Sequence, residues 1–530
     1  MGLTRKDFLL RSAALIPAAF ALPASAQGRS ASEKPLFLFN VADHGAKGDG
    51  ITKDTAAIQA AIDAAGRTGG TVYVPPGRYI SGTLHLRSFV TLYLGPGSTL
   101  LASPDAGDFD SYEKLDYRSG SDKETTYFHF ALLLANEVHD VAIVGGGVLD
   151  GNRVKRGGPK LVAIKNCQKL QIRDITLQNS PNYTISMLGC DGVVIDGVTI
   201  FNGFADGIDP DCCHNVRIAN CSIESSDDSI CLKASFSLGE RRSTENVTVT
   251  NCVLTTNSNA LKCGTESSGD FKNIAFTNCT IFSQSDKWKR QATAGVAIES
   301  VDGANIDRVV ISNVAMEGVR APIFIRLGNR GQAPTAPTPG TLQNVSISNI
   351  VATGATLASS ITGIPGHPVR DVSLSNIRIQ ATGGGVAKGF EIGEEPAKYP
   401  GADMFGELPA YGLFCRHIEG LNLCEVSLNT EIGDERPALV VDDVSGLDLV
   451  GFRGQPPLGD TAVVHMTNTR RVLVQGARAL EQTSIFLRLS GEKTSKIHVL
   501  ANDFSEASRA FVVDDEVGKD ALVEKANVLR

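Results

Sequence analysis

The sequence predicts an all-β chain, a single-stranded right-handed parallel β-helix with a short capping helix near its N-terminus. Three observations predict it. A unit of small or polar residues followed by alternating apolar ones recurs, with Ile172, Ile195 and Ile218 spaced by 23 positions each. Within each copy the apolar residues alternate with period two between breaks at Gly, Asn or Asp, and no copy carries an apolar stripe of helical period. The composition is globular, 42% hydrophobic and 20% charged with 54 Gly, and contains no long low-complexity tract. One such unit cannot bury its inner face alone. Coiling one unit per turn stacks Val on Val and Ile on Ile, and satisfies the backbone between turns. A propeller would need four antiparallel strands per blade, and a leucine-rich repeat would need a helical side; neither pattern is present.

The elements follow in order. Residues 1–26 read as an export signal: Arg5 and Lys6 precede an apolar run from Phe8 to Leu22, and Pro23-Ala24-Ser25-Ala26 supplies small residues for cleavage. The order Thr4-Arg5-Lys6-Asp7-Phe8-Leu9 is similar to a twin-arginine signal with Lys in the second place. The run is shorter than the ~20 residues that span a bilayer, so a periplasmic or extracellular location with no membrane contact after cleavage is expected. Residues 27–36 read as a linker and 37–525 as the β-helix domain. From Asp54 to Ala65 the pattern turns helical, with Asp54 as cap and Gly66 as stop. This helix is expected to plug the open end of the solenoid, whose first turn would otherwise leave core and backbone bare.

Charge and cysteine usage limit the partners. The net charge of -8 and the lack of a basic run argue against nucleic acid or an anionic membrane. A monomer acting on a polysaccharide or oligosaccharide is the expectation. The eleven cysteines cannot all pair, and Cys221, Cys252 and Cys279 each follow an Asn in the repeat, which favours stacked buried thiols. Cys212-Cys213 has no zinc-site spacing around it. No metal and no cofactor are expected.

Acidic residues gather in two adjacent turns, Asp206-Gly207-Ile208-Asp209-Pro210 and Ser226-Asp227-Asp228-Ser229, with Asp206 and Asp227 separated by 21 positions. Neighbouring turns lie ~4.8 Å apart, so these carboxylates should share one face. Crowding of like charges raises at least one pKa and sets a protonated acid beside ionised bases, as glycoside hydrolysis requires. Asp at the bends of a β-helix also bonds nearby amides, and an isolated Asp pair is as often structural or a calcium ligand. Two acidic motifs in consecutive turns, with Lys233 five residues beyond Asp228, favour the chemical reading.

On these residues the chain resembles glycoside hydrolase family 28, the polygalacturonase-like enzymes. Gly207-Ile208-Asp209-Pro210-Asp211 and Asp227-Asp228-Ser229-Ile230-Cys231-Leu232-Lys233 are similar to the family's central motifs. Val41 to Gly50 and Val74-Pro75-Pro76-Gly77 resemble the cap of pectin-active β-helix proteins, and Met404 to Gly412 a segment of bacterial members. The resemblance implies that Asp227 protonates the leaving oxygen while Asp206 and Asp228 activate water, in a single inverting displacement whose acid and base stand ~6.5–9.5 Å apart.

Two departures bear on substrate. The family's Gly-His-Gly motif falls on Asn257-Ser258-Asn259, and its Arg-Ile-Lys motif, which would grip a uronate carboxylate, aligns with Ala297-Ile298-Glu299. Glu299 would repel a carboxylate unless Lys262 or Arg326 replaces the lost grip, so a neutral sugar such as rhamnose is expected at the scissile position. Asp209, Lys233, Ser258, Lys262, Glu266 and Glu299 are the candidate substrate-binding residues. Trp288, within the run Lys287 to Arg290, could stack on sugar, and His417 reads as structural. Two other readings stay open on the same fold: a lyase or epimerase using calcium held by the Asp cluster, and a carbohydrate-binding solenoid without turnover.

Overall fold

A computed structural model describes residues 37–283, 291–334, 338–387 and 391–530; the signal, the linker and Trp288 lie outside the described residues. From Leu38 onward the chain winds as a parallel β-helix. Each turn supplies short strands that pair in parallel with those of the next turn, as Gln168–Arg173 does with Asp191–Asp196 and Thr176–Gln178 with Thr199–Gly203. The 23-residue spacing is thus one turn: Ile172 pairs with Ile195, and Ile195 with Ile218.

One ladder positions the functional site. Its strands are β1 (Ala131–Asn136), β2 (Lys160–Lys165), β3 (Ile185–Leu188), β4 (Ile208–Asp211), β5 (Ile230–Ala234), β6 (Asn259–Ser267), β7 (Ala294–Ser300) and β8 (Ala321–Leu327). Period-two alternation sends Leu133, Val162, Ile185, Ile208, Ile230, Leu261, Val296 and Ile323, all in register, into the core. Each such side chain contributes roughly 1.5–3 kcal/mol by leaving water. Alternate positions point outward and form the face on which the site is built.

Corners explain the recurrent Asn. Asn220, Asn251 and Asn278 adopt φ of 57°, 54° and 55°, a left-handed conformation that Asn tolerates better than most residues. Their amides stack from turn to turn: Asn313 Nδ2 donates to Asn278 Oδ1 at 3.0 Å and Asn349 Nδ2 to Asn313 Oδ1 at 2.9 Å. The cysteines that follow are buried, and all eleven are free thiols.

The capping helix α1 (Thr55–Thr68) buries Ile58, Ala61, Ile62 and Ala65. It differs from expectation at both ends. Asp54 makes no side-chain bond to the helix; its carboxylate accepts from the Lys47 and Gly48 amides at 2.7 and 3.0 Å, so it fastens the preceding loop. Gly66 lies inside the helix, which continues to Thr68, because a Cβ there would stand 2.8 Å from that of Arg87.

Candidate active site

Register brings the acidic motifs together. Because Ile208 pairs with Ile230, the residues two positions earlier, Asp206 and Asp228, stack in adjacent turns. Asp227 therefore stands one position outside that column. Two positions beyond Asp209 and Cys231, respectively, Asp211 pairs with Lys233, while Cys231 pairs with Lys262 on the next strand. Three consecutive turns, β4 to β6, thus present carboxylates and ammonium groups on one outer face.

The buried lysines of β5 and β6 are matched by carboxylates. Lys233 Nζ lies 2.8 Å from Asp206 Oδ2 and 3.0 Å from Asp209 Oδ1, and stands 3.7 Å above the Tyr183 ring, a cation–π contact. Lys262 Nζ lies 2.9 Å from Asp228 Oδ2 and 3.7 Å from Glu299 Oε2. Asp228 Oδ1 accepts from Ser258 Oγ at 2.7 Å, from the Asn259 amide N–H at 2.9 Å and from Asn259 Nδ2 at 2.8 Å. Where the family carries its histidine, this chain places a hydroxyl and two N–H donors on the same carboxylate.

These surroundings divide the acids. Burial pushes the Asp206 carboxyl well up, against the pull of Lys233, with Asp209, Asp227 and Asp228 adding repulsion. Burial likewise moves Asp209 up to about 6 despite Lys233. For Asp228 burial is outweighed by Lys262 and the donors from Ser258 and Asn259, which hold it down at about 2. One turn therefore carries a carboxylate held low, while burial pushes both acids of the turn before upward. Asp227 is the open member: its side chain is 33% exposed, with Oδ2 2.6 Å from Arg156 Nη1 and Oδ1 accepting from the Asp228 amide at 3.1 Å.

The cleft is lined by Asp206, Asp227, Asp228, Lys233, Lys262 and Glu266 of the expected set. Glu266 sits 3.9 Å from Arg330, its carboxyl pushed up by burial. Glu299, expected at the substrate, is fully buried beneath Lys262, with Oε2 accepting from Thr265 Oγ1 at 2.9 Å, and does not line the cleft. Asp209 is likewise covered, behind Lys233. Ser258 contacts Asp228 and is not part of the cleft lining. Arg326, the alternative cation, is spent on the carbonyls of Gly363 and Glu394 at 2.9 and 2.7 Å. His417 is outside the cleft, between Asp443 and Glu394.

Sequence reasoning missed Asp122, Arg156, Tyr183, Arg330, Gln332 and Tyr399, which complete the lining. Most come from loops between turns, where repeat counting gives no position. Tyr183 was within reach: it stands 23 residues before Asp206, one turn back in the same column.

Comparison with known proteins agrees with this architecture. The profile described as glycosyl hydrolases family 28 matches residues 119–395, just over half of the chain and including all three acidic positions. The chain belongs to glycoside hydrolase family 28. A second profile, rhamnogalacturonase A/epimerase, pectate lyase-like, matches residues 38–195. A probable polygalacturonase of Vitis vinifera is 26% identical over 371 residues, covering 64% of this chain and 74% of that protein. The mannuronan C5-epimerase AlgE5 of Azotobacter vinelandii is 38% identical, but over 130 residues, 23% of this chain and 11% of that one. Among solved structures, the exopolygalacturonase of Thermotoga maritima superposes with a TM-score of 0.59 at 20% identity, covering 74% of this chain and 91% of that one, a likeness of fold. This family 28 member is a glycoside hydrolase. Among the described residues no helix is long and apolar enough to cross a membrane.

Proposed function

We propose that the enzyme hydrolyses a pectin-type saccharide by single inverting displacement, with Asp227 as acid and Asp228 as base. The observation that carries this reading is the contrast in the acidic cluster. Asp228 is held ionised by Lys262 and three donors, Asp206 is stacked on it and pushed toward the protonated form, and their carboxylates lie within 4.8 Å of one another. A water between them finds one oxygen to take its proton and a second carboxyl to orient it. Asp227, exposed at the cleft, is the group that can reach a glycosidic oxygen, and it must exchange its bond to Arg156 for a proton when substrate enters.

A neutral sugar, rhamnose in a pectin-type chain, is the proposed occupant of the scissile position. The reason is no longer Glu299, which is buried. Lys233 and Lys262 are each paired with two acids, Arg330 is held by Asp302 with Glu266 at 3.9 Å, and Arg156 bridges Glu124 and Asp227. Among the described residues, no cation lining the cleft is left without a carboxylate partner to grip a uronate. The calcium-assisted lyase or epimerase is disfavoured on the same ground. Among the described residues the one potential ligand group, Asp206, Asp228 and Cys231, includes a thiol and already has two ammonium groups at its carboxylates, whereas calcium prefers six to eight oxygens. Export through the N-terminal signal places the enzyme outside the cytoplasm in this proposal.

The test incubates purified enzyme, with and without EDTA, on polygalacturonan, rhamnogalacturonan oligosaccharides and neutral glycans, with Asp227→Asn as control. Reducing ends that rise on rhamnogalacturonan, resist EDTA and vanish in the variant support the proposal. An EDTA-sensitive ultraviolet signal of an unsaturated product would favour the lyase, and binding without turnover the silent solenoid.

A further inference from the structure

The outer face of the β1–β8 ladder changes character along its length. In register from β1, its middle outward column reads Leu134, Ala163, Ser186, Asp209, Cys231, Lys262, Ala297 and Phe324. Before the acidic turns the face is covered. Phe128, from the long loop 103–130, packs with Ala131, Leu134, Ala163, Leu188 and Cys212, and Lys160 Nζ stands 3.8 Å from its ring. Beyond them the middle column is apolar and covered again, with Ala402 and Met404 packed on Ala294, Ala297, Ala321 and Phe324, and the neighbouring outward pair Glu299 and Arg326 is buried as well. Leu408 and Ala410 continue the cover over Ala358, Phe414 and Val440. In this column the polar stretch runs from Ser186 on β3 to Lys262 on β6, about 14 Å at ~4.8 Å per turn.

The same loops wall this polar stretch. At its first end Arg156 joins Glu124, on the short helix α2 (Lys123–Thr126), to Asp227 on the floor. At its far end Tyr399 reaches Thr265 with its hydroxyl 3.2 Å from Oγ1. Along one flank the loop 103–130 runs past the intervening turns. Tyr117 donates to the Ser237 carbonyl at 2.7 Å, and Gly120 lies so close to the loop after β8 that a Cβ would fall 2.3 Å from the Gln332 carbonyl oxygen. That approach requires glycine, which also has φ of 78° there.

We infer that this enzyme attacks chain ends: its cleft is a closed-ended pit that admits the terminal sugars of a saccharide and cannot let a polymer thread through. The inference rests on the hydrolase reading above and adds the mode of action. A through-groove would need the outer face to stay open on both sides of Asp227, and here apolar side chains seal both. Ala297 and Phe324 are buried under Met404, so the far seal is held by an apolar cluster of its own on the outer face.

Two measurements test it. In the first, the acid-dead Asp227→Asn variant is titrated calorimetrically with rhamnogalacturonan and galacturonan oligosaccharides from dimer to octamer. Affinity should stop improving at about the trimer, and a steady gain through the octamer would overturn the closed pit. In the second, wild-type enzyme digests the polymer that it accepts. A single mono- or disaccharide should accumulate from the start while viscosity is retained; an early mixed ladder with collapsing viscosity would overturn chain-end attack. If wild-type enzyme turns over nothing while the length series still levels off, the hydrolase reading fails and the closed pit stands. If no oligosaccharide binds, both are overturned.

Discussion

Arg156 Nη1 stands 2.6 Å from Asp227 Oδ2, and the same guanidinium is bonded to Glu124 in the loop that walls the cleft. Arg156 thus holds one oxygen of Asp227 and the Asp228 amide the other. Arg156 and a proton therefore compete for the same oxygen.

This gives a leaving-group prediction. Asp227→Asn should lose about 10²–10⁴ in kcat on saccharides, the range for a general acid, and far less on the 4-nitrophenyl glycoside of the same sugar, whose leaving group needs no proton. Arg156→Gln, which removes the competitor, should retain turnover on both. Equal losses on both substrates in Asp227→Asn would remove Asp227 from the acid's role.

Ser258 serves Asp228. Deleting its hydroxyl removes one charge-assisted hydrogen bond, worth about 1.5–3 kcal/mol. Ser258→Ala should lower kcat about tenfold or more with KM little changed, and Ser258→Thr should restore it. A rise in KM alone would mean that Ser258 touches substrate instead.

Glu299 makes stability fall as pH rises. Burial raises its carboxyl from 4.5 to about 7 in the folded chain, against the pull of Lys262. Between these values the unfolded chain has released the proton and the folded chain still holds it, so the folded state loses ground across that window. Asp209, raised from 3.8 to about 6, acts in the same direction. Asp228, lowered from 3.8 to about 2, does the opposite, and its contribution disappears only as pH falls through that lower range. Melting temperatures of wild type and Glu299→Gln between pH 4.5 and 7 should converge at the acid end and separate at neutrality, with the variant declining less. Parallel curves would contradict the assignment.

The asparagine corners can be tested at Asn349, whose φ is 55° and whose amide links Asn313 and Asn376 at 2.9 and 2.8 Å. Alanine loses the ladder and takes on a left-handed conformation costing about 1–2 kcal/mol; glycine loses only the ladder. Chemical denaturation should rank wild type above Asn349→Gly above Asn349→Ala, and the reverse order of the two variants would refute the φ argument.

With all eleven cysteines free and only Cys424 partly exposed, reductant should leave the melting temperature unchanged. Thiol titration should count eleven groups in denaturant and at most one in the native protein.

The repeat itself was legible because β-helix geometry is written locally: period-two alternation, a left-handed corner every turn, and a turn length that the chain can count. Those rules were enough to stack Ile172, Ile195 and Ile218, to bring Asp206 beside the Asp227-Asp228 pair, and to reach Lys233 and Lys262. They could not place Glu299. Alignment with the family's Arg-Ile-Lys motif aimed it at the substrate, but Lys262 from the preceding turn covers it, and only three-dimensional packing decides which of two outward residues lies on top. Nor could they show that Ser258 and Asn259 hold Asp228 in place of a histidine, because that depends on one hydroxyl rotamer and one backbone amide.

Sequence alone determined the solenoid, its capping helix and the turn that carries the carboxylates, since each follows from interactions between a residue and its counterpart one turn away. Tertiary structure alone decided the shape of the cleft. Arg156, Gln332 and Tyr399 arrive from loops whose lengths obey no repeat, and Phe128 and Met404 seal the outer face through contacts with residues as far away in sequence as Cys212 and Ala294. Loop closure costs little more for a long loop than for a short one, so such excursions are free to vary, and their landing points are set by the apolar surface they cover.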